Sequence, residues 1–202
     1  MDNYSQGEQM KSSKHRLPKL SYNAPVVLTF TLISLVALLL DRVTDGKTNH
    51  LLFSVYRSKF SLLFIFRLFG HALGHGNWAH FSGNMTLFLL LGPILEEKYG
   101  SKNLLEMISI TALISGIVNI VFFPNVALLG ASGIVFMMIL LASATHTKDN
   151  GIPITMILIA IIYIGAEVIA IFKQDNVSQL THIIGGLCGA LFGFIYKNED
   201  KK

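Results

Sequence analysis

Six apolar runs divide the chain: Tyr22–Leu40, Trp78–Leu95, Leu104–Phe123, Val126–Thr145, Ile152–Phe172 and Val177–Tyr196. Each comes close to the ~20 apolar residues that a membrane-crossing helix needs. The second run is short and carries His80 and Asn84, but it stops firmly at Glu96-Glu97-Lys98. Gly92-Pro93 near its end is expected to bend or close that helix. Polar connections between runs are short, apart from residues 41–77. Within that stretch Leu51–Phe69 is apolar but interrupted by Arg57, Lys59 and Arg67, which suits an interfacial, partly embedded element better than a seventh span. The first run is not expected to be a cleaved leader: a long polar tail precedes it, and no small-x-small site follows before Asp41. The pattern predicts an all-α integral membrane bundle of six helices over residues 21–197. A polar, basic tail precedes it at 1–20 and a charged tail follows at 198–202.

Composition removes the alternatives. Of 202 residues, 52% are hydrophobic and 14% charged, against ~25% charged in soluble domains. Mean hydropathy is +0.56. Abundant Leu, Ile, Val and Phe exclude a disordered chain, and the single cysteine, Cys188, excludes a disulfide scaffold. The net charge of +4 comes from Lys and Arg at the ends and in loops, so membrane lipid is the expected surrounding and nucleic acid is not an expected partner. With the N-terminus cytoplasmic, ten Lys and Arg fall inside and six outside, five of those six in the long 41–77 segment. The charge bias therefore favours both termini in the cytoplasm. The bare six-span size suggests a prokaryotic plasma membrane.

Polar side chains inside a bilayer are costly and point to function. Four stand out: His80, Asn84, Ser132 and His182. Asn84 and Ser132 each lie six residues from the start of their runs and His182 lies five, all ~8–9 Å below one membrane edge. His80 sits one turn above Asn84 on the same face. Singly, each has a bland reading: a membrane serine bonds its own backbone, an asparagine glues helices, and a GxxxG face is ordinary packing. The glycines change the balance. Ser132 lies in Gly130-Ala131-Ser132-Gly133, a sequence that leaves a hydroxyl uncovered at a tight turn into a helix start. His182 is followed by Gly185, Gly189 and Gly193, which share one helix face and permit a close neighbour. If that neighbour is the Ser132 helix, His182 can take the serine proton and activate it as a nucleophile. His80, Asn84 and the Ser132 backbone N–H are then suitable donors to an oxyanion. No carboxylate is placed to orient His182, so the set reads as a dyad.

From Phe66 to Tyr196 the chain resembles the rhomboid intramembrane serine proteases. Gly130-x-Ser132-Gly133 is similar to the family's GxSG nucleophile motif, and His182-x-x-Gly185-x-x-x-Gly189 to its histidine helix, with Thr181 where Ala is usual. His80-x-x-x-Asn84 resembles the oxyanion pair, and Gly92-x-x-x-Glu96-x-x-x-Gly100 the structural motif closing that span. Phe66-Arg67, His71-Ala72-Leu73 and His75 resemble the end of the embedded first loop, with Phe in place of Trp. The resemblance implies Ser132 and His182 as catalytic residues, and His80, Asn84 and Gly130 as oxyanion- and substrate-stabilising ones. It also implies cleavage of single-span membrane proteins near the outer face, span five as the gate, and no cofactor or metal. Phe136 stands where the family commonly has tyrosine; it keeps a ring to stack on the catalytic imidazole and lacks the hydroxyl. Glu167 is either an interfacial anchor beside Lys173 or a group facing the gate. His71 and His75, four apart, have no evident third ligand for a metal site. Two other classes stay open: a non-catalytic rhomboid-like binder of membrane clients, and a small transporter lined by His80, Asn84, Glu167 and His182. The absence of a repeat between the halves argues against a transporter.

Overall fold

The computed structural model describes residues 22–144, 154–159, 161–162 and 176–197. Among the described residues every regular element is helical, apart from one isolated bridge between Val55 and Leu128. Helix α1 spans Pro25–Val43, α2 Lys47–Leu51, α3 Leu62–Gly70, α4 Trp78–Phe122, α5 Ser132–Ala144 and α6 Asn176–Lys197; a 3-10 turn covers His71–Leu73 between α3 and α4. Residues 154–159 and 161–162 are also helical. By length and composition α1, α4 and the 179–196 stretch of α6 can each cross a membrane. Glu167, Lys173 and both tails lie outside the described residues.

Two boundaries differ from the sequence expectation. Helix α4 runs through Pro93 without ending and breaks instead at Gly100, whose φ of +79° is left-handed. Glycine accepts that conformation with no Cβ penalty, so α4 is two limbs joined at Gly100. The expected helix start at Val126 is also wrong: α5 begins only at Ser132. Residues before it form a loop, because Leu128 exchanges both backbone hydrogen bonds with Val55 at 2.9 Å. The depth estimate for Ser132 therefore fails as helix arithmetic; an extended, pinned loop delivers it. The 41–77 segment holds two short helices and a 3-10 turn.

Packing follows from sequence. Helix α5 is apolar on every side, and nine of its thirteen residues are buried, so it becomes the central post. Phe30 of α1 stacks on Phe88 of α4 at 4.7 Å. The lower ends of these helices are locked by Glu96, only 3% exposed. Its two carboxylate oxygens accept the Val26 and Val27 N–H groups at 2.9 and 3.1 Å and the Ser101 hydroxyl at 2.7 Å. An anion on the first-turn amides of α1 satisfies orphan donors and complements the helix dipole. Gly92 belongs to the same joint: a Cβ there would lie 2.6 Å from Val27 Cγ2.

Candidate active site

Ser132 opens α5, directly after a turn in which Gly130 has φ +124°. The turn is held from several sides. The Gly130 N–H donates to the His71 carbonyl at 2.9 Å. Asn119, buried in the second limb of α4, donates through Nδ2 to the carbonyls of Val55 at 3.2 Å and Val126 at 3.0 Å. His71 is a hub: its Nε2–H donates to the Ala112 carbonyl at 3.0 Å while its own carbonyl holds Gly130. Burial keeps that imidazole neutral, pushing it down to about 4 against the Ala112 hydrogen bond. Sequence reasoning missed Asn119 altogether. The available signal was the spacing Thr111, Ser115, Asn119, which puts three polar groups on one face of an apolar limb.

Helix α6 meets α5 through the glycine stripe. Cβ atoms at Gly185 and Gly189 would run into the carbonyl oxygens of Gly133 and Met137, and one at Gly193 would lie 2.5 Å from Ala144 Cβ. Backbone therefore touches backbone at Gly185 and Gly189, and Gly193 meets the Ala144 methyl. At its upper end Gly133, next to Ser132, faces Thr181, next to His182: a Cβ on Gly133 would be 2.9 Å from Thr181 Cγ2. The imidazole of His182 lies flat on the Phe136 ring, with centroids 4.4 Å apart and planes 5° from parallel. Phe136 is four residues after Ser132, on the same α5 face. The stripe and stack thus bring His182 to the wall that carries the hydroxyl.

His80 and Asn84 close the other side. A Cβ at Gly130 would sit 2.7 Å from both Cε1 and Nε2 of His80 and 3.8 Å from Asn84 Nδ2. Only glycine fits, for space as well as for φ. Asn84 is buried and its Nδ2 has no hydrogen-bond partner, an uncommon state for a buried amide and one associated with functional sites. His80 also lies within electrostatic reach of His182. The first turn of α4 is fixed by its N-cap, Asn77 Oδ1, which accepts the His80 N–H at 2.8 Å.

The model of the Rhomboid domain matches residues 64–199, more than half of the chain. The chain belongs to the rhomboid family. A search of curated proteins finds no match. In this rhomboid domain all five expected site residues lie on three neighbouring elements: the Gly130 turn with the start of α5, the start of α4 and the upper part of α6. Nε2 of His71 meets the Ala112 carbonyl at 3.0 Å and Nδ1 of His75 the Leu73 carbonyl at 3.1 Å. Among the described residues no three His, Cys, Asp or Glu side chains gather to hold a metal ion.

Proposed function

We propose that the chain is an intramembrane serine endopeptidase of six spans, working through a Ser132–His182 dyad on single-span membrane proteins near the outer face. Ser132 Oγ attacks the scissile carbonyl carbon while its proton passes to the His182 imidazole. The carbonyl oxygen becomes an oxyanion, met by Asn84 Nδ2–H, the His80 ring and the Ser132 backbone N–H. The C–N bond then breaks, and the imidazolium returns the proton to the leaving amine. Water hydrolyses the acyl ester with His182 again acting as base, which releases the new carboxyl end and restores the serine.

The observation that carries this reading is the flat stack of His182 on Phe136, one turn from Ser132, in a helix pair locked by the glycine stripe. A packing-only histidine has no need of an uncovered serine at a helix start with two polar side chains opposite. The unpartnered Asn84 Nδ2 at the Gly130 turn supports the oxyanion role. Hydrolysis also needs water below the membrane edge. The buried, unpartnered Ser115 Oγ, Asn119 Oδ1 and His71 Nδ1 are polar atoms able to hold it.

The two limbs of α4 and the helical residues 154–159 and 161–162 support the reading of six spans. The Lys and Arg bias supports a cytoplasmic position for both termini, and a prokaryotic plasma membrane is the proposed location. The test is incubation of purified protein with a generic single-span substrate, beside Ser132→Ala. We expect cleavage by the wild type only. Cleavage by both proteins, or by neither with Ser132 inert to serine reagents, would refute the reading and favour a non-catalytic binder.

A further inference from the structure

We propose that His75 is a positioning residue for His80, and that Asp41 and Asn49 hold His75 in place. The inference rests on the reading above, in which His80 faces the developing oxyanion.

Three polar groups are buried together at the end of α1: Asp41 is 7% exposed, Asn49 6% and His75 0%. Burying such groups is costly unless they are paired. Here they form a chain. Asp41, in the last turn of α1, accepts the Asn49 N–H on Oδ1 at 2.8 Å. Asn49, in α2, donates through Nδ2 to the His75 carbonyl at 3.0 Å. Arg42 Nη2 donates to the next carbonyl along, that of Gly76, at 3.2 Å. The loop leading into α4 is thus clasped by its carbonyls, and at Gly74 it runs so close to Phe53 that a Cβ would collide with the Phe53 carbonyl.

The His75 ring is fixed in turn. Its Nδ1–H donates to the Leu73 carbonyl at 3.1 Å, which leaves Nε2 as a buried lone pair with no partner. Burial and the neighbouring His80 keep the ring neutral, pushing it down to about 4. The ring meets His80 edge-on, with centroids 5.1 Å apart and planes at 64°, and meets Phe81 at 5.4 Å and 84°. On its other side His80 faces the Gly130 turn, within 2.7 Å of where a Cβ would stand. The His80 imidazole is therefore wedged between His75 and the nucleophile loop. A ring wanted for packing alone would be better as Phe, without an unpartnered nitrogen to bury. The hydrogen bond from Nδ1 is what sets the ring's tilt against His80.

The experiment is a double-mutant cycle on cleavage of a single-span substrate by the full-length protein, with thermal midpoints measured alongside. His75→Ala should lower kcat by about tenfold or more, the scale of a small misplacement of a catalytic group, and leave KM within about twofold. His75→Phe, which restores the wall without the anchor, should fall between Ala and wild type. In the His80→Ala background His75→Ala should cost nothing further, because His75 acts only through His80. Asn49→Ala should repeat this pattern more weakly, and carries the same cycle if His75→Ala fails to fold. An unchanged kcat, a loss confined to KM, or an undiminished loss in the His80→Ala background would each overturn the proposal. Wild-type protein that cleaves nothing and leaves Ser132 unlabelled by a fluorophosphonate would instead bring down the dyad, and this relay with it.

Discussion

Gly185→Ala should separate the two halves of the dyad by a calculable distance. A Cβ at Gly185 would collide with the Gly133 carbonyl oxygen and stand 2.7 Å from its carbon and 3.0 Å from its Cα. Carbon atoms rest ~3.5–4.0 Å apart. The obstacle is backbone of the central helix, which has no rotamer to yield, so α6 must retreat from α5 by roughly 1 Å. Overpacking of this kind costs about 1–3 kcal/mol of stability. A misplacement near 1 Å costs about a hundredfold in rate. Gly185 lies three residues from His182, so the shift reaches the imidazole almost undiminished. Gly193→Ala is the control. Its Cβ would come 2.5 Å from Ala144 Cβ, a comparable clash, but eleven residues, ~16 Å, below His182. Thermal midpoints and kcat/KM on a single-span substrate separate the two effects. Both variants should lose stability, and Gly185→Ala should lose far more activity. Full activity and an unchanged midpoint in Gly185→Ala would refute the close helix contact. Equal activity losses in the two variants would show that general destabilisation, not the position of His182, is responsible.

Three further outcomes follow from the same geometry. Glu96→Ala strands two α1 amides and the Ser101 hydroxyl and should cost about 3 kcal/mol, whereas Glu96→Gln, which keeps an acceptor, should cost about half as much; denaturant unfolding reads both, and an unchanged stability in Glu96→Ala would remove the carboxylate from the joint. His71 and His75 stay neutral down to about 4 in the folded protein, whereas exposed imidazoles protonate near 6.5. The unfolded form therefore binds protons that the folded form does not, and stability present above ~6.5 is lost as pH falls toward 4, by about 3 kcal/mol per ring; a thermal midpoint unchanged between pH 7 and 4.5 would contradict this. Asn84→Ala should lower kcat with KM preserved, by less than the ~3–4 kcal/mol seen when a lone oxyanion donor is removed, because His80 and a backbone N–H share the charge; an unaltered kcat would exclude the amide from the site.

The features legible in the sequence are those with a strict local period. The glycines at 185, 189 and 193 define a helix face before any neighbour is known, and the structure packs α5 closely against all three. Phe136 was expected to stack on His182, and it does. Non-local hydrogen bonds defeated the rest. Gly130 marks the turn before Ser132, but nothing in Val126–Leu129 distinguishes an apolar loop from a helix start; the Val55 bridge decides it from more than seventy residues away. Likewise Pro93 looked like the break in α4, but Gly100, able to take a positive φ, supplies it. The roles of Asn119 and Asn49 depend on carbonyls contributed by distant loops, and that of Asp41 on the Asn49 amide, which no spacing rule encodes.

The dyad is tested most directly by labelling with a serine-directed fluorophosphonate, followed by peptide mapping of the modified residue. Activation of Ser132 by His182 predicts a single modified serine, Ser132, with labelling abolished in Ser132→Ala and nearly abolished in His182→Ala while both variants stay folded. The double variant should be no worse than either single one, since nucleophile and base act as a unit. Modification of another serine, or undiminished labelling of Ser132 in His182→Ala, would contradict the account.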